Sequence, residues 1–128
     1  PIVGLGEADI ILAFEQLEAY RALPYLKKDG VMIVNDQKIN PMPVITGAAQ
    51  YPENILEKIS ADAQLVTVPA LSLAEEAGNI KAVNVALIGV MAKTTDISKE
   101  KWIKTIRTTV PPKFLDVNLK AFELGYNL

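Results

Sequence analysis

The chain has 128 residues, a mass of 13.9 kDa and a formal net charge of −2, and half of its residues are hydrophobic. This composition is typical of a globular protein with a substantial core, and it excludes a disordered chain. The sequence contains no Cys and no His, which excludes disulfides, thiolate-ligated iron–sulfur clusters and Ser–His or Cys–His catalysis within it.

The first predicted elements are a strand, a helix and a turn. The uninterrupted apolar run at residues 10–14 predicts a strand that is buried on both faces. Helical spacing of apolar residues predicts a helix over residues 15–25, in which Pro24 opens a further short turn. We expect Asp29 and Gly30 to end that turn, with Gly30 at positive φ.

Two more strands are predicted before residue 70. Residues 31–34 and 64–68 are apolar runs of strand length, and Pro69 stops the second. A helix is predicted between them, with Ile55, Leu56 and Ile59 on one side. Residues 39–43 contain two prolines and are therefore expected to be extended, not helical.

The second half of the chain is predicted to form four helices. We expect residues 70–77 to end at Gly78–Asn79, and residues 82–92 to form a buried helix too short to span a bilayer. Ser98 is expected to cap the third of these helices. Pro111 and Pro112 are expected to open the last one and Gly125 to end it.

Strands that alternate with helices predict an α/β fold, with a mostly parallel sheet and helices on both faces in three layers. The length predicts a single domain over residues 1–128. Gly4-Leu5-Gly6 is not a dinucleotide-binding fingerprint, because its glycines precede a predicted strand instead of following one.

One candidate site lies where the predicted strands end. Glu15, Asn35 and Asp36 stand at the carboxyl ends of two strands, where ligands bind in open α/β sheets. The two carboxylates could share a proton or hold Mg²⁺. The favoured interpretation is simpler: Glu15 begins a helix, and Asn35–Asp36 form a turn.

Asn84 is the second candidate, because it interrupts an apolar stretch and a buried amide must be hydrogen-bonded. Its partner could be a neighbouring loop, which is favoured, or a ligand or another chain. Asn79 is expected to order a loop, and Lys113 to be solvated. No residues assemble a nucleophile with a base, so no catalytic residue and no metal site are predicted.

Charge is uneven along the chain. From Lys93 onward there are seven basic and four acidic residues, a net charge of +3, whereas the preceding part carries −5. The basic end could face an acidic partner such as a ferredoxin, although a solvated helix face is the favoured interpretation. The negative total argues against nucleic acid as a partner.

Three stretches of the sequence form a recognisable set. They are residues 6–15, then Ala77-Gly78-Asn79 with Asn84 and Gly89, and then residues 110–114 with residues 118–125. Together they resemble the gamma domain of the 2-oxoacid:ferredoxin oxidoreductases, most closely the beta subunits of indolepyruvate ferredoxin oxidoreductases. Because that domain begins with a glycine-rich segment absent here, the resemblance implies that residues 1–128 are the C-terminal part of a larger, N-terminally truncated gamma domain.

The resemblance implies a cytoplasmic enzyme that decarboxylates a 2-oxoacid on thiamine diphosphate, reduces ferredoxin through iron–sulfur clusters and releases an acyl-CoA. Because this chain has no Cys and no thiamine diphosphate–magnesium motif, these cofactors are expected on a large partner subunit. This chain alone would be inactive and would border the CoA or 2-oxoacid channel. Asn79 and Asn84 match family positions and are the candidate contacts near that channel.

Two alternatives remain at this point. The chain could be an independent α/β module that binds a small ligand or nucleotide, for which the only support is the crevice at Glu15, Asn35 and Asp36. It could also be a purely structural interaction domain. If the chain is an N-terminally truncated gamma domain, its sheet lacks the leading strand and exposes unpaired backbone groups. We therefore expect the chain to self-associate.

Overall fold

A computed structural model of the protein describes residues 2–128. These residues form three strands, seven α-helices and three short 3₁₀ turns. Contacts divide the chain into two compact units, one ending at Thr67 and the other running from Val68 to Leu128. The α/β class is confirmed, whereas a single domain over residues 1–128 stays a prediction.

The first unit is built on the sheet. The strand order is β1-β2-β3, with β1 parallel to β2. Its core includes Leu17 of α1, Met32 and Val34 of β2 and Ile55 and Ile59 of α3. The elements are β1 (Ala8–Ala13), α1 (Gln16–Ala22), a 3₁₀ turn (Leu23–Tyr25), β2 (Leu26–Asn35), α2 (Met42–Ile45), α3 (Ile55–Asp62) and β3 (Gln64–Val68).

The turn predicted at Asp29–Gly30 is wrong, because both residues lie inside β2. The register between β1 and β2 slips there: Ala8 pairs with Leu26, but Ile10 pairs with Val31. Gly30 has no positive φ. A Cβ at Gly30 would lie 2.9 Å from the carbonyl oxygen of Asp9, so glycine is needed for close backbone approach at an irregular point of the ladder.

The extended segment predicted at residues 39–43 is only partly correct. Met42–Ile45 form a short helix that begins after Pro41. Pro43 is in the first turn, where the missing N–H would have had no helical partner in any case. Proline therefore excludes helix interiors and permits helix starts.

The second unit is helical. Ala74, Ala77, Ala82, Ala86 and Ala121 form one small-residue core. Gly78, at φ 112°, ends α4 as predicted. The elements are α4 (Ala70–Ala77), a 3₁₀ turn (Ile80–Ala82), α5 (Val83–Lys93), α6 (Lys99–Thr109), a 3₁₀ turn (Pro112–Phe114) and α7 (Leu115–Tyr126).

Two glycines set the approach of α5 to α7. A Cβ at Gly89 would overlap the carbonyl oxygen of Phe122, and a Cβ at Gly125 would overlap that of Ala86. Gly125 lies one residue before the end of α7, which continues to Tyr126, so the prediction that it ends the helix is wrong. The two backbones touch where neither helix carries a side chain.

Helix α6 completes the second unit. Trp102, Ile103 and Ile106 pack with Phe122, as their spacing predicts. Ser98 occupies the N-cap position, but its side chain makes no capping hydrogen bond. Lys101, Lys104 and Arg107 lie on the exposed side of the helix.

Candidate functional site

Polar side chains gather at the carboxyl ends of β1 and β2, as the sequence predicts. Glu15 is 6% exposed, Gln16 is 5% exposed and Asn35 is 2% exposed. The Asn35 amide joins the two strand ends by donating to the carbonyl oxygen of Phe14 at 3.1 Å. Buried polar groups need partners, so the arrangement depends on which bonds these side chains make.

Glu15 is the N-cap of α1, which confirms the simpler interpretation. One carboxylate oxygen accepts from the backbone N–H of Glu18 at 2.7 Å, and the other accepts from the Tyr51 hydroxyl at 2.8 Å. Burial raises the pKa of the Glu15 carboxyl, but the bonds from Tyr51 and from backbone N–H groups outweigh burial and hold it below its ordinary value. Glu15 is therefore a charged, hydrogen-bonded cap.

Tyr51 is a member of this cluster that the sequence analysis did not predict. Its hydroxyl accepts from the backbone N–H of Leu17 at 3.1 Å while donating to Glu15. Burial, and then the neighbouring Glu15 carboxylate, raise the pKa of Tyr51 to about 12. It lies 36 residues from its partner, and no local pattern signals a contact over that distance.

Asp36 belongs to a separate set of bonds. It accepts from the side-chain amide of Gln16 at 2.8 Å, and Asn35 donates to Gln37 at 3.0 Å. Residues 2–128 contain no group of three or more His, Cys, Asp or Glu side chains that could hold a metal ion. Because both Glu15 oxygens already accept hydrogen bonds, the cluster is suited to joining a helix to two strand ends, and ligand binding there stays a prediction.

The structure separates the two asparagines named as candidate contacts. Asn84 is exposed on α5, so the prediction of a buried amide is wrong. Its flanking residues Val83 and Val85 are partly buried, but the helical step turns Asn84 outward between them. Asn79 accepts from the backbone N–H of Lys81 at 2.9 Å and so orders its loop, as predicted.

Asn79 also lines a groove of the second unit. The groove has a volume of about 240 Å³, and Asn84 is not among its lining residues. Lys113 is exposed, as expected, and its ammonium lies 4.7 Å from the centre of the Phe114 ring. Besides Asn79, the lining includes Lys81, Pro111, Phe114, Val117 and Asn118.

Residues 2–128 match the family model described as pyruvate ferredoxin/flavodoxin oxidoreductase. The chain belongs to this family. The resemblance based on three separate stretches of sequence is thereby confirmed over nearly the whole length. None of the helices in residues 2–128 has both the length and the apolar composition that a membrane span requires.

Relatives in this oxidoreductase family are named as subunits. Indolepyruvate oxidoreductase subunit IorB of Thermococcus kodakarensis is 44% identical over 126 residues, covering 94% of this chain and 62% of the relative. The Pyrococcus horikoshii IorB is 43% identical with the same coverage. This chain therefore spans about three fifths of the length of these relatives.

A solved structure agrees with this assignment. The gamma subunit of a keto/oxoacid ferredoxin oxidoreductase from Geobacter sulfurreducens superposes with a TM-score of 0.70 at 25% identity. The match covers 98% of this chain and 66% of that one. The α/β fold expected from the sequence is therefore shared with a gamma subunit of the same class of enzyme.

Proposed function

We propose that the chain is part of a small, cofactor-free subunit of a 2-oxoacid:ferredoxin oxidoreductase that converts the 2-oxoacid oxidatively to an acyl-CoA. The substrate is indolepyruvate or another arylpyruvate, with pyruvate as the second choice. The observation that carries this proposal is the 44% identity, over 94% of the chain, to an indolepyruvate oxidoreductase subunit.

The residues of this chain do not fit the cofactors of such an enzyme. The sequence has no Cys to bind a cluster, and residues 2–128 hold no cluster of metal-ligating side chains. We therefore assign thiamine diphosphate, Mg²⁺ and the iron–sulfur clusters to a large partner subunit, which would pass electrons to ferredoxin.

The proposed contribution of this chain is structural: it presents a rigid surface to the partner subunit and to the substrate channel. The Glu15–Tyr51 bonds fix the start of α1 relative to a loop, and the glycine contact fixes α5 against α7. Rigid elements of this kind can present a defined surface to a partner and to a substrate channel. Asn79 and Asn84 stay predicted contacts near the CoA or 2-oxoacid channel.

Purification of the tagged full-length protein from its native host tests the proposal. We expect it to elute with a large partner, and we expect the pair to contain thiamine diphosphate, iron and a brown iron–sulfur absorption. A high-salt wash that releases the partner should leave the tagged protein colourless and carry the brown absorption into the partner fraction, and it serves as the control. Recovery of a colourless protein without any partner from a gentle preparation would contradict the proposal.

A further inference from the structure

The groove of the second unit has an apolar floor formed by two stretches of chain. Pro111, Phe114 and Val117 line it from one side, and the loop at residues 79–82 lines it from the other. Phe114 is 39% exposed, and the Lys113 ammonium lies over its ring at 4.7 Å from the centre, so a ligand would contact the part of the ring that Lys113 leaves uncovered. An apolar wall with an accessible ring favours a ligand that has a flat apolar body.

Polar groups with unused bonding capacity border the same groove. Asn79 uses its side-chain oxygen for the Lys81 N–H, and its amide N–H groups have no partner among the described residues. Asn118 donates to the carbonyl oxygen of Phe114 at 2.8 Å, so its own side-chain oxygen remains available as an acceptor. An apolar pocket with a few convergent polar groups is the usual form of a small-molecule site.

The charge at the groove is positive. Lys81 lines it and forms no ion pair within residues 2–128, where the ion pairs involve Arg21, Lys27 and Lys99. Lys113 adds a second ammonium close to the Phe114 ring. An ammonium and an amide donor that line the same groove favour a carboxylate or phosphate over a neutral group.

We propose that this groove binds a compact organic anion with a flat apolar body. Lys81 and the Asn79 amide hold the anionic head, and the body rests on Phe114, Pro111 and Val117. A volume of about 240 Å³ is below the range of drug-sized pockets, which begins near 300 Å³, so the ligand has the size of an aromatic monocarboxylate. The proposal rests on the proposed function, because Asn79 is also a predicted contact near the 2-oxoacid channel; phenylacetate binding and co-purification with a partner are separate measurements, so the failure of one is distinguishable from the failure of the other.

A titration followed by ¹H–¹⁵N NMR tests the proposal on the full-length protein. The probes are phenylacetate and phenylacetamide, which share an aromatic body and differ in charge. We expect saturable shifts for residues 79–82 and 110–118 with phenylacetate, and about tenfold weaker binding of the amide, because a charge-assisted hydrogen bond is lost.

Two matched lysine variants separate the groove from the general surface charge. Lys81→Met keeps the alkyl stem and should remove the preference for phenylacetate. Lys104→Met removes an exposed charge from α6, away from the groove, and should leave both affinities unchanged. The dispersed NMR spectrum of each variant reports whether it is folded.

Three results would overturn the proposal. They are the absence of saturable shifts, equal affinity for the two probes, and an unchanged preference in Lys81→Met. A fourth contradicting result would show that a partner chain occupies the groove. In that case phenylacetate would bind the isolated subunit but would be excluded from the assembled complex. Retained binding in that complex would support the proposal further.

Discussion

Glu15 shows how one carboxylate can organise several backbone segments. Its oxygens accept from Glu18, Tyr51 and, more weakly at 3.4 Å, from the backbone N–H of Ile39. The negative charge also lies at the N-terminus of α1, where the helix dipole favours it. The side chain is therefore a structural anion whose charge is satisfied inside the first unit.

Replacement of Glu15 by Gln should destabilise the protein by about 1–2 kcal/mol at pH 7, since one of the two acceptor oxygens becomes an amide donor and the bond that remains is no longer charge-assisted. The folded-state pKa of Glu15 is lowered from 4.5, so its stabilising contribution is complete above that value. The contribution disappears as the pH falls through the folded-state pKa.

Urea denaturation at several pH values measures this prediction. The difference in free energy of unfolding between wild type and Glu15→Gln should shrink as the pH falls from 7 to below 4.5. Glu53→Gln, which changes an exposed carboxyl, is the control and should stay near the wild type throughout. A difference that does not vary with pH would contradict the role of the Glu15 charge.

Tyr51 gives the opposite pH dependence. Its folded-state pKa is raised from 10.0 to about 12, so its contribution is complete below pH 10 and is lost as the pH rises through 12. Tyr51→Phe should lower the free energy of unfolding by about 1 kcal/mol at pH 7. As the pH rises from 10 to 12, the variant should lose less stability than the wild type. Tyr25→Phe changes an exposed tyrosine and is the control. An equal loss of stability at alkaline pH in Tyr51→Phe and in the wild type would contradict the prediction.

The residue scale also shows what local sequence can reveal. Glu15 follows a strand and precedes a helix, so its capping position could be predicted from its neighbours. Tyr51 could not be predicted, because its role depends on a contact 36 residues away. Asn84 was misplaced because apolar neighbours in sequence are not the neighbours of a residue on a helix surface.

At the scale of elements, the contact between α5 and α7 is the clearest constraint. Gly89 and Gly125 each face the backbone of the other helix with no room for a Cβ. Alanine normally stabilises a helix interior by about 1 kcal/mol relative to glycine. Steric overlap with backbone should reverse that sign here, because backbone cannot move aside as a flexible side chain can.

Gly89→Ala and Gly125→Ala should therefore each destabilise the second unit by about 1–3 kcal/mol or more. Thermal unfolding monitored by circular dichroism measures the change. Asn84→Ala in the same helix is the matched control, and it should be neutral or slightly stabilising because Asn84 is exposed. Stabilisation by alanine at either glycine would show that the helices are not in backbone contact.

The order of elements could be predicted better than the exceptions within them. The three strands follow from apolar runs and most helices from apolar periodicity, and Pro24 lies in a short 3₁₀ turn that begins one residue earlier than predicted, at Leu23. Gly30 and Pro43 were misjudged because each residue has two uses. Glycine serves close approach as well as positive φ, and proline begins helices as well as breaking them.

The edge of the sheet gives a prediction about association. β1 is at the end of the strand order, and an edge strand has unpaired backbone groups that can recruit another chain. The 128-residue chain should therefore show a mass that rises with concentration in light scattering. A constant monomer mass over a wide concentration range would contradict this expectation.

At the scale of the whole molecule, the feature of the composition that bears most on function is the absence of Cys and His from the sequence. A chain without Cys or His cannot supply the thiolates or imidazoles of a redox centre. The chain belongs to an oxidoreductase family, and under the function proposed above another chain supplies the redox chemistry. The groove at Asn79 and Lys81 could not be predicted, because its walls come from stretches about thirty residues apart that only the helix packing brings together.

A reconstitution assay tests the central claim most directly. The full-length protein and its large partner are purified separately, and ferredoxin reduction is measured with a 2-oxoacid and CoA. We expect no activity from the protein alone and 2-oxoacid-dependent activity when the two are combined, with arylpyruvates preferred. Ferredoxin reduction by this protein without the partner, or no gain on combining the two, would contradict the account.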